Sequence, residues 1–385
     1  MNKMRNNVVF LGCSGDFGRK FSACNTKIEF MIRGLRALGD CCVVHNGIKG
    51  SSDIREISYS ENSIADLLIE YPCKINRYLS PLINYWRLIG DLRRLHRNGD
   101  KNIVILEAPY IIYYWMMLIA SKFCGYKVVV ISHEWLALFK TKNVFKRFLH
   151  HCYTSFFCYG IDAILPISEY IIQKVKCYKK PFLKLPVLAD FSRNLTNAEN
   201  GKYFMYCVSA EYIRVITVLL DGFNLYRTMG GGYRFVLVLS GSDSAKERVR
   251  DKVKDYQLSD CVELTESLQY DALFSMYTRA SALVLPLDPK CEQDSARFSQ
   301  KTAEYLSSGG AIITNPVGEN VHYFKNEENV IMTDFSALGF CNAFRWVELH
   351  PHETLEIGRK GYVLGKKYFD YNENGRLLHD FILGL

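Results

Sequence analysis

Residues 282–320 read ALVLPLDPKCEQDSARFSQKTAEYLSSGGAIITNPVGEN. ALVLPL (282–287) is a short apolar run of the kind expected for a strand buried on both faces. A polar loop follows, then a helical stretch over 299–308 that Gly309 and Gly310 end, then the apolar AIIT (311–314). Strand, helix and strand in that order form one step of a parallel α/β sheet. A helix start just past a strand's carboxyl end offers backbone N–H groups to an anion. Arg297 and Lys301 bring cations to the same place and suit a diphosphate. Glu304 sits about one turn further on, where a carboxylate can accept both hydroxyls of a ribose. A capped surface helix with a Lys301–Glu304 ion pair is the plainer alternative. It accounts less well for a cationic loop behind a buried strand that ends near Pro286.

The same alternation runs outward in both directions. Upstream, VVFL (8–11), CCVVH (41–45), IVIL (103–106), KVVVI (127–131) and AILPI (163–167) are predicted strands. Ile28, Met31, Ile32, Leu35 and Leu38 share one helical face. Ser80-Pro81 is predicted to open a helix, 108–121 to be a buried helix, and Ser168 to start another. The stretch 183–204 loses periodicity and gathers Pro, Asn, Asp and Gly, so the linker is placed at 191–203. The pattern then restarts with FMYCV (204–208), RFVLVLSG (234–241) and CVEL, with helices near 214–228, 244–255 and 269–279 between the strands. The expected organisation is an α/β domain over 1–190, a second over 204–365, and a C-terminal helix over 366–385 that returns to the first.

The chain has 385 residues, a length that suits two domains. Hydrophobic residues make up 49% and charged residues 23%, which excludes a disordered or collagen-like chain. The net charge of +8 is unevenly placed: residues 1–200 hold 28 Lys+Arg against 16 Asp+Glu, and residues 201–385 hold 20 against 24. Thirteen cysteines without a C-x-x-C pair fit reduced thiols in the cytoplasm. No apolar run approaches the roughly 20 residues needed to span a bilayer. Residues 138–160 (LFKTKNVFKRFLHHCYTSFFCYG) interleave Lys and Arg with Phe, which suits the anionic inner face of a cell membrane. A solvated helix face over a core stripe is the alternative. No nucleic-acid motif is present, and no nucleic-acid partner is expected.

The segment RFSQKTAEYLSSGGAII (297–313), followed by NPVGEN (315–320), resembles the R-x-P-x-K-x-x-E-Y-L-x-x-G-x-P-I-I segment of retaining GT-B glycosyltransferases of the family-4 type (glycosyl transferases group 1). SLQYDALFSMYTRASALVLPL (267–287), IDAILPISEYIIQKVK (161–176) and VLADF (187–191) resemble other parts of that family in the right order. The resemblance implies two doubly wound Rossmann-like domains facing a central cleft. It implies an acceptor-binding N-terminal domain and a C-terminal domain that binds a UDP- or GDP-sugar. The activity implied is metal-independent transfer of a hexose, with retained configuration, to a glycan or lipid-linked glycan in polysaccharide biosynthesis. No cofactor and no metal are implied.

The resemblance also assigns residues. Glu304 matches the ribose-binding Glu, and Lys301 and Arg297 match positions beside the diphosphate. Arg214 falls at a phosphate-binding Lys, although Val215 replaces the Gly that follows it. Ala296 stands where many members carry a Glu near the transferred sugar, and Asp294 is the nearest carboxylate. Gly15 lies in a G-x-x-G-x-x-G loop (Gly12, Gly15, Gly18) beside the diphosphate, and Glu319 lies near the donor sugar. His133 and Glu134, after KVVVI, resemble the family's His-acidic pair. A GT-B nucleotide-sugar epimerase and an inactive donor-binding or scaffold subunit are the alternatives. A NAD-dependent dehydrogenase is disfavoured, because G-x-G-x-x-G is absent.

Overall fold

The computed structural model describes residues 5–13, 23–50, 57–60, 64–72, 79–107, 111–138, 143–193, 201–266 and 268–385. The chain divides into two compact units. One holds Met1–Leu188, Ala296–Phe298 and Phe369–Leu385; the other holds Ala189–Ser295 and Ser299–Tyr368.

The first unit runs β1 (Asn6–Leu11), α1 (Ala23–Ala37), β2 (Cys41–His45), β3 (Ser58–Ser60), β4 (Leu67–Glu70), α2 (Leu79–Leu95), β5 (Lys101–Leu106), α3 (Ile111–Phe123), β6 (Lys127–Ser132), α4 (Val144–Phe156), β7 (Ala163–Pro166) and α5 (Glu169–Val175). Its seven strands lie in the order β3-β4-β2-β1-β5-β6-β7, all parallel except the β3–β4 pair. Val, Ile, Leu and Phe fill β1, β5 and β6 because helices cover both faces. The two buried asparagines that open β1 are bonded. Asn6 Nδ2 donates to Asp40 Oδ2 at 3.1 Å, and Asn7 Nδ2 donates to Asn102 Oδ1 at 2.7 Å. The chain steps from β1 out to β2 and β4, then returns to the other side of β1 at β5. Right-handed crossovers therefore put α1 on one face of the sheet and α2, α3 and α4 on the other.

The second unit runs β8 (Tyr203–Ser209), α6 (Ile213–Thr228), β9 (Arg234–Ser240), α7 (Asp243–Asp255), β10 (Val262–Glu266), α8 (Tyr270–Arg279), β11 (Ala282–Leu285), α9 (Glu292–Ala296), α10 (Gln300–Ser307), β12 (Ile312–Thr314), α11 (Asn320–Tyr323), β13 (Ile331–Met332), α12 (Ala337–Leu349) and α13 (Pro351–Phe369). The last helix, α14 (Tyr371–Leu383), belongs to the first unit and packs on α1. Six parallel strands lie in the order β10-β9-β8-β11-β12-β13, so the strand order reverses between β8 and β11. Phe204, Phe223, Phe235 and Phe344 meet under α6 and α12, with Phe204 and Phe344 centroids 4.4 Å apart.

The structure adds β3, β4, β13, α9, α11 and α12 to the predicted elements. It starts α2 at Leu79, with Ser80 and Pro81 inside the first turn, where proline costs no hydrogen bond. Of the predicted helix over 108–121, residues 108–110 lie outside the described residues, and α3 extends to Phe123. Among the described residues, no helix is long and apolar enough to cross a membrane.

Candidate functional site

The reversal of strand order in the second unit is where an open parallel sheet leaves room for a ligand at its carboxyl ends. β8 leads there into α6, whose first turn carries Arg214. β11 leads into the loop from Pro286 to Ser299. Arg214 Nη2 lies 2.6 Å from Asp288 Oδ2, so an ion pair joins the two chain segments. Asp288 is buried, and its Oδ1 also accepts from Lys290 N at 2.9 Å.

Asp294 is buried on the same loop, and its Oδ2 accepts from Asp288 N at 2.9 Å. Its carboxylate thus ties the loop back on itself. Gly318 comes so close that a Cβ there would lie 2.8 Å from Asp294 O, and its φ of +58° is itself in the left-handed region. Side chains that follow β12 add further bonds to this loop. Asn315 Oδ1 accepts from Leu287 N at 3.0 Å, and Asn315 Nδ2 donates to Thr333 O at 2.6 Å. Asn320 Nδ2 donates to Thr314 Oγ1 at 2.8 Å and to Asn315 O at 3.1 Å.

α10 opens beyond this loop. Ser299 occupies the N-cap position without a side-chain cap bond, and the first turn holds Lys301 and no acid. That arrangement runs against the helix dipole, which favours negative charge at this end. It suits a site that receives an anion. Glu304 is buried one turn in, and burial pushes its carboxyl up to about 7. The Lys301 charge and a hydrogen bond from Gln300 pull in the opposite direction. Tyr270 and Tyr277 of α8 and Cys207 of β8 lie within reach of its charge. A half-buried ammonium and a buried carboxyl, one turn apart on an uncapped helix start, can together hold a phosphate and a diol.

The first unit has a polar group at its own reversal, between β1 and β5. Gly12 has φ +90°, and a Cβ there would lie 1.9 Å from Glu107 O, so only glycine fits where the two strand ends meet. Burial raises the Cys13 thiol, with the Glu107 charge adding to it. His133 leaves the end of β6 with its Nε2 buried and without a hydrogen-bond partner. Burial, and then the charge of Lys27, hold its imidazole well below the ordinary histidine range. Lys27 is itself buried and donates from Nζ to Leu185 O at 2.8 Å.

The residues singled out in the sequence thus fall in two places. Lys301, Glu304, Arg214, Asp294 and Glu319 belong to the second unit, with Glu319 buried beyond β12. His133, the exposed Glu134 and the half-buried Arg297 belong to the first. Gly15 lies outside the described residues. Sequence reasoning missed Asp288, Asn315 and Asn320. The Asp288-Pro289 turn signal pointed to the first of these. Ser168, expected to start a helix, caps α5, and its Oγ also donates to Ala296 O at 2.5 Å. Among the described residues no cluster of three or more His, Cys, Asp or Glu could hold a metal ion.

No protein-family model and no curated protein sequence matches the chain. Solved structures do. Sucrose-phosphate synthase from Thermosynechococcus elongatus superposes with TM-score 0.74 at 13% identity, over 99% of this chain and 98% of that one. Anabaena Alr3699/HepE, solved with UDP and glucose, gives TM-score 0.72 at 11% identity over 98% and 100%. An α,α-trehalose-phosphate synthase (UDP-forming) from Burkholderia vietnamiensis gives 0.66 at 9% over 99% and 100%. The chain therefore has the two-domain fold of the GT-B glycosyltransferases.

Proposed function

We propose that the chain is a retaining glycosyltransferase that moves a hexose from a nucleoside-diphosphate sugar to a glycan or lipid-linked glycan in polysaccharide biosynthesis, without a metal. The observation that carries this reading is the pairing of Lys301 with buried Glu304 at the uncapped start of α10. Neighbours of the same fold include one solved with UDP and glucose, which favours a UDP-sugar over other donors.

In this reading Lys301 and the first N–H groups of α10 hold the diphosphate, and Glu304 accepts the ribose hydroxyls. Arg214, set by Asp288, adds positive charge that favours the departing diphosphate. The bond from the anomeric carbon to the diphosphate oxygen breaks. The acceptor oxygen bonds to the same face of that carbon, and its proton leaves with the diphosphate. Neutral His133 bonds a hydroxyl of the acceptor through Nε2. Asp294 holds the loop and not the sugar, consistent with its bond to Asp288 N.

The test is incubation with UDP- and GDP-sugars, with and without a panel of glycan acceptors. Acceptor-dependent product of unchanged anomeric configuration is expected. Lys301→Ala and Glu304→Ala should each lower kcat/KM by about ten- to a hundred-fold, as loss of a charge-assisted contact does. Donor conversion without acceptor would point to an epimerase instead, and full activity in both variants would remove the site.

A further inference from the structure

α4 lies on the face of the first sheet that it shares with α2 and α3, and its outward side is apolar. Phe145, Phe148, Cys152, Phe156 and the following Tyr159 fall at i, i+3, i+7, i+11 and i+14, one stripe of a helix. The four aromatics of this stripe are 66%, 60%, 53% and 61% exposed in that order. The helix already has a separate buried side. Tyr153 stacks on Phe157 at 5.2 Å and meets Tyr114 of α3 at 5.1 Å, and Tyr178 donates to Thr154 O at 3.1 Å. A surface helix ordinarily turns charge outward once its core stripe is satisfied. α4 instead has two apolar stripes, and Lys146 and Arg147 are exposed in its first turn.

Its neighbours repeat the pattern. α3 turns out Ile112, Ile119, Lys122 and Phe123, and α2 turns out Leu82, Ile83, Trp86, Arg87, Arg93 and Arg94. The Arg93 guanidinium lies over the Phe123 ring at 5.0 Å, so the α2 and α3 contributions are contiguous. Asp91 is the one acidic residue in the three helices. It is buried, accepting from Tyr71 at 2.5 Å and from Arg94 at 3.0 Å.

We infer that this face is a docking surface for an anionic lipid bilayer, with the aromatic stripe of α4 entering the headgroup layer. Charge complementarity selects that occupant. Arg94 is paired with Asp91 and Lys122 with Asp162, which leaves Arg87, Arg93, Lys146 and Arg147 on the three helices without a carboxylate partner among the described residues, so two copies of the face would repel each other. Long Lys and Arg side chains reach from an apolar face to phosphate headgroups, and Trp and Tyr suit the same boundary. The inference stands on the first unit alone and does not depend on the donor site.

Flotation of the whole chain with vesicles tests it. Phosphatidylcholine vesicles are compared with vesicles in which about a third of the lipid is phosphatidylglycerol. The chain is expected to float with the anionic vesicles and at least about ten-fold less with the neutral ones. A Phe145→Ser, Phe148→Ser variant is expected to lose about ten-fold or more of that partitioning. A Lys146→Glu, Arg147→Glu variant should lose a similar amount, and added salt should release the wild-type chain. These residues are exposed, so both variants should keep the wild-type melting temperature. A wild-type chain that stays in solution with anionic vesicles at low salt overturns the inference. So does binding that neither variant weakens. A face that takes up an acidic protein or a second copy, and no vesicle, overturns it as well.

Discussion

Burying the Glu304 carboxyl has a consequence that titration reveals. Its folded value of about 7 stands above the 4.5 of an exposed Glu. Below the lower value both folded and unfolded chains hold the proton, and the group's full contribution to stability is present. As pH rises through about 7 the folded chain must ionise a carboxyl out of water, and roughly 3 kcal/mol is lost. Glu304→Gln removes this loss. Its melting temperature should therefore fall less than that of the wild type between about pH 5 and pH 8, and exceed it at the upper end. Superimposable melting profiles of the two proteins against pH would contradict the burial of this carboxyl. The same group ties stability to ligand. Ribose hydroxyls donate to the ionised form, so nucleotide affinity should climb with pH through about 7 in the wild type. That climb should be weaker in the Gln variant.

Two glycines inside helices separate packing from backbone propensity at the scale of the element. Gly34 of α1 meets α14, where a Cβ would lie 2.7 Å from Tyr371 O and 2.8 Å from Gly375 Cα. Those are backbone atoms and cannot turn aside. Gly34→Ala should destabilise the chain by roughly 1–3 kcal/mol and lower its melting temperature by several degrees. Gly90 of α2 has nothing within 4 Å of a Cβ. Gly90→Ala should stabilise by up to about 1 kcal/mol. Thermal denaturation of both variants checks the pair, and an equal effect would mean that α14 does not lie where the structure places it. The sequence offers a C-terminal helix for the first domain, but the stripe of Ile28, Met31, Ile32 and Leu35 announces only a buried face and not that Gly34 meets that helix backbone to backbone. β3 and β4 escaped because Ser58–Ser60 and Leu67–Glu70 are too short to show a period. α12 carries a usable signal in its Ser336 cap and in the spacing of Phe340, Phe344 and Val347.

At the scale of the whole molecule, the legible part was the local part. Buried parallel strands spell themselves as runs such as VVFL, IVIL and KVVVI, so both sheets follow from apolar runs alternating with helical spacing. Lys301 and Glu304 were legible for the same reason, since they lie three positions apart on one helix. The Arg214–Asp288 pair joins positions 74 residues apart, and the turn of Asp294 toward Asp288 N depends on the path of a loop. Neither leaves a periodic mark. The three helices of basic, aromatic character became a surface only when the topology set them on one face of the first sheet. The central claim is that the start of α10 receives a nucleoside diphosphate. Melting of the chain with UDP or GDP measures this most directly, because a ligand at a hundred times its Kd adds about 2.7 kcal/mol to the folded state. One of the two should raise the melting temperature of the wild type by several degrees and that of Lys301→Ala by about half as much or less. No shift with either nucleotide, or an equal shift in the Lys301 and Glu304 variants, would contradict it.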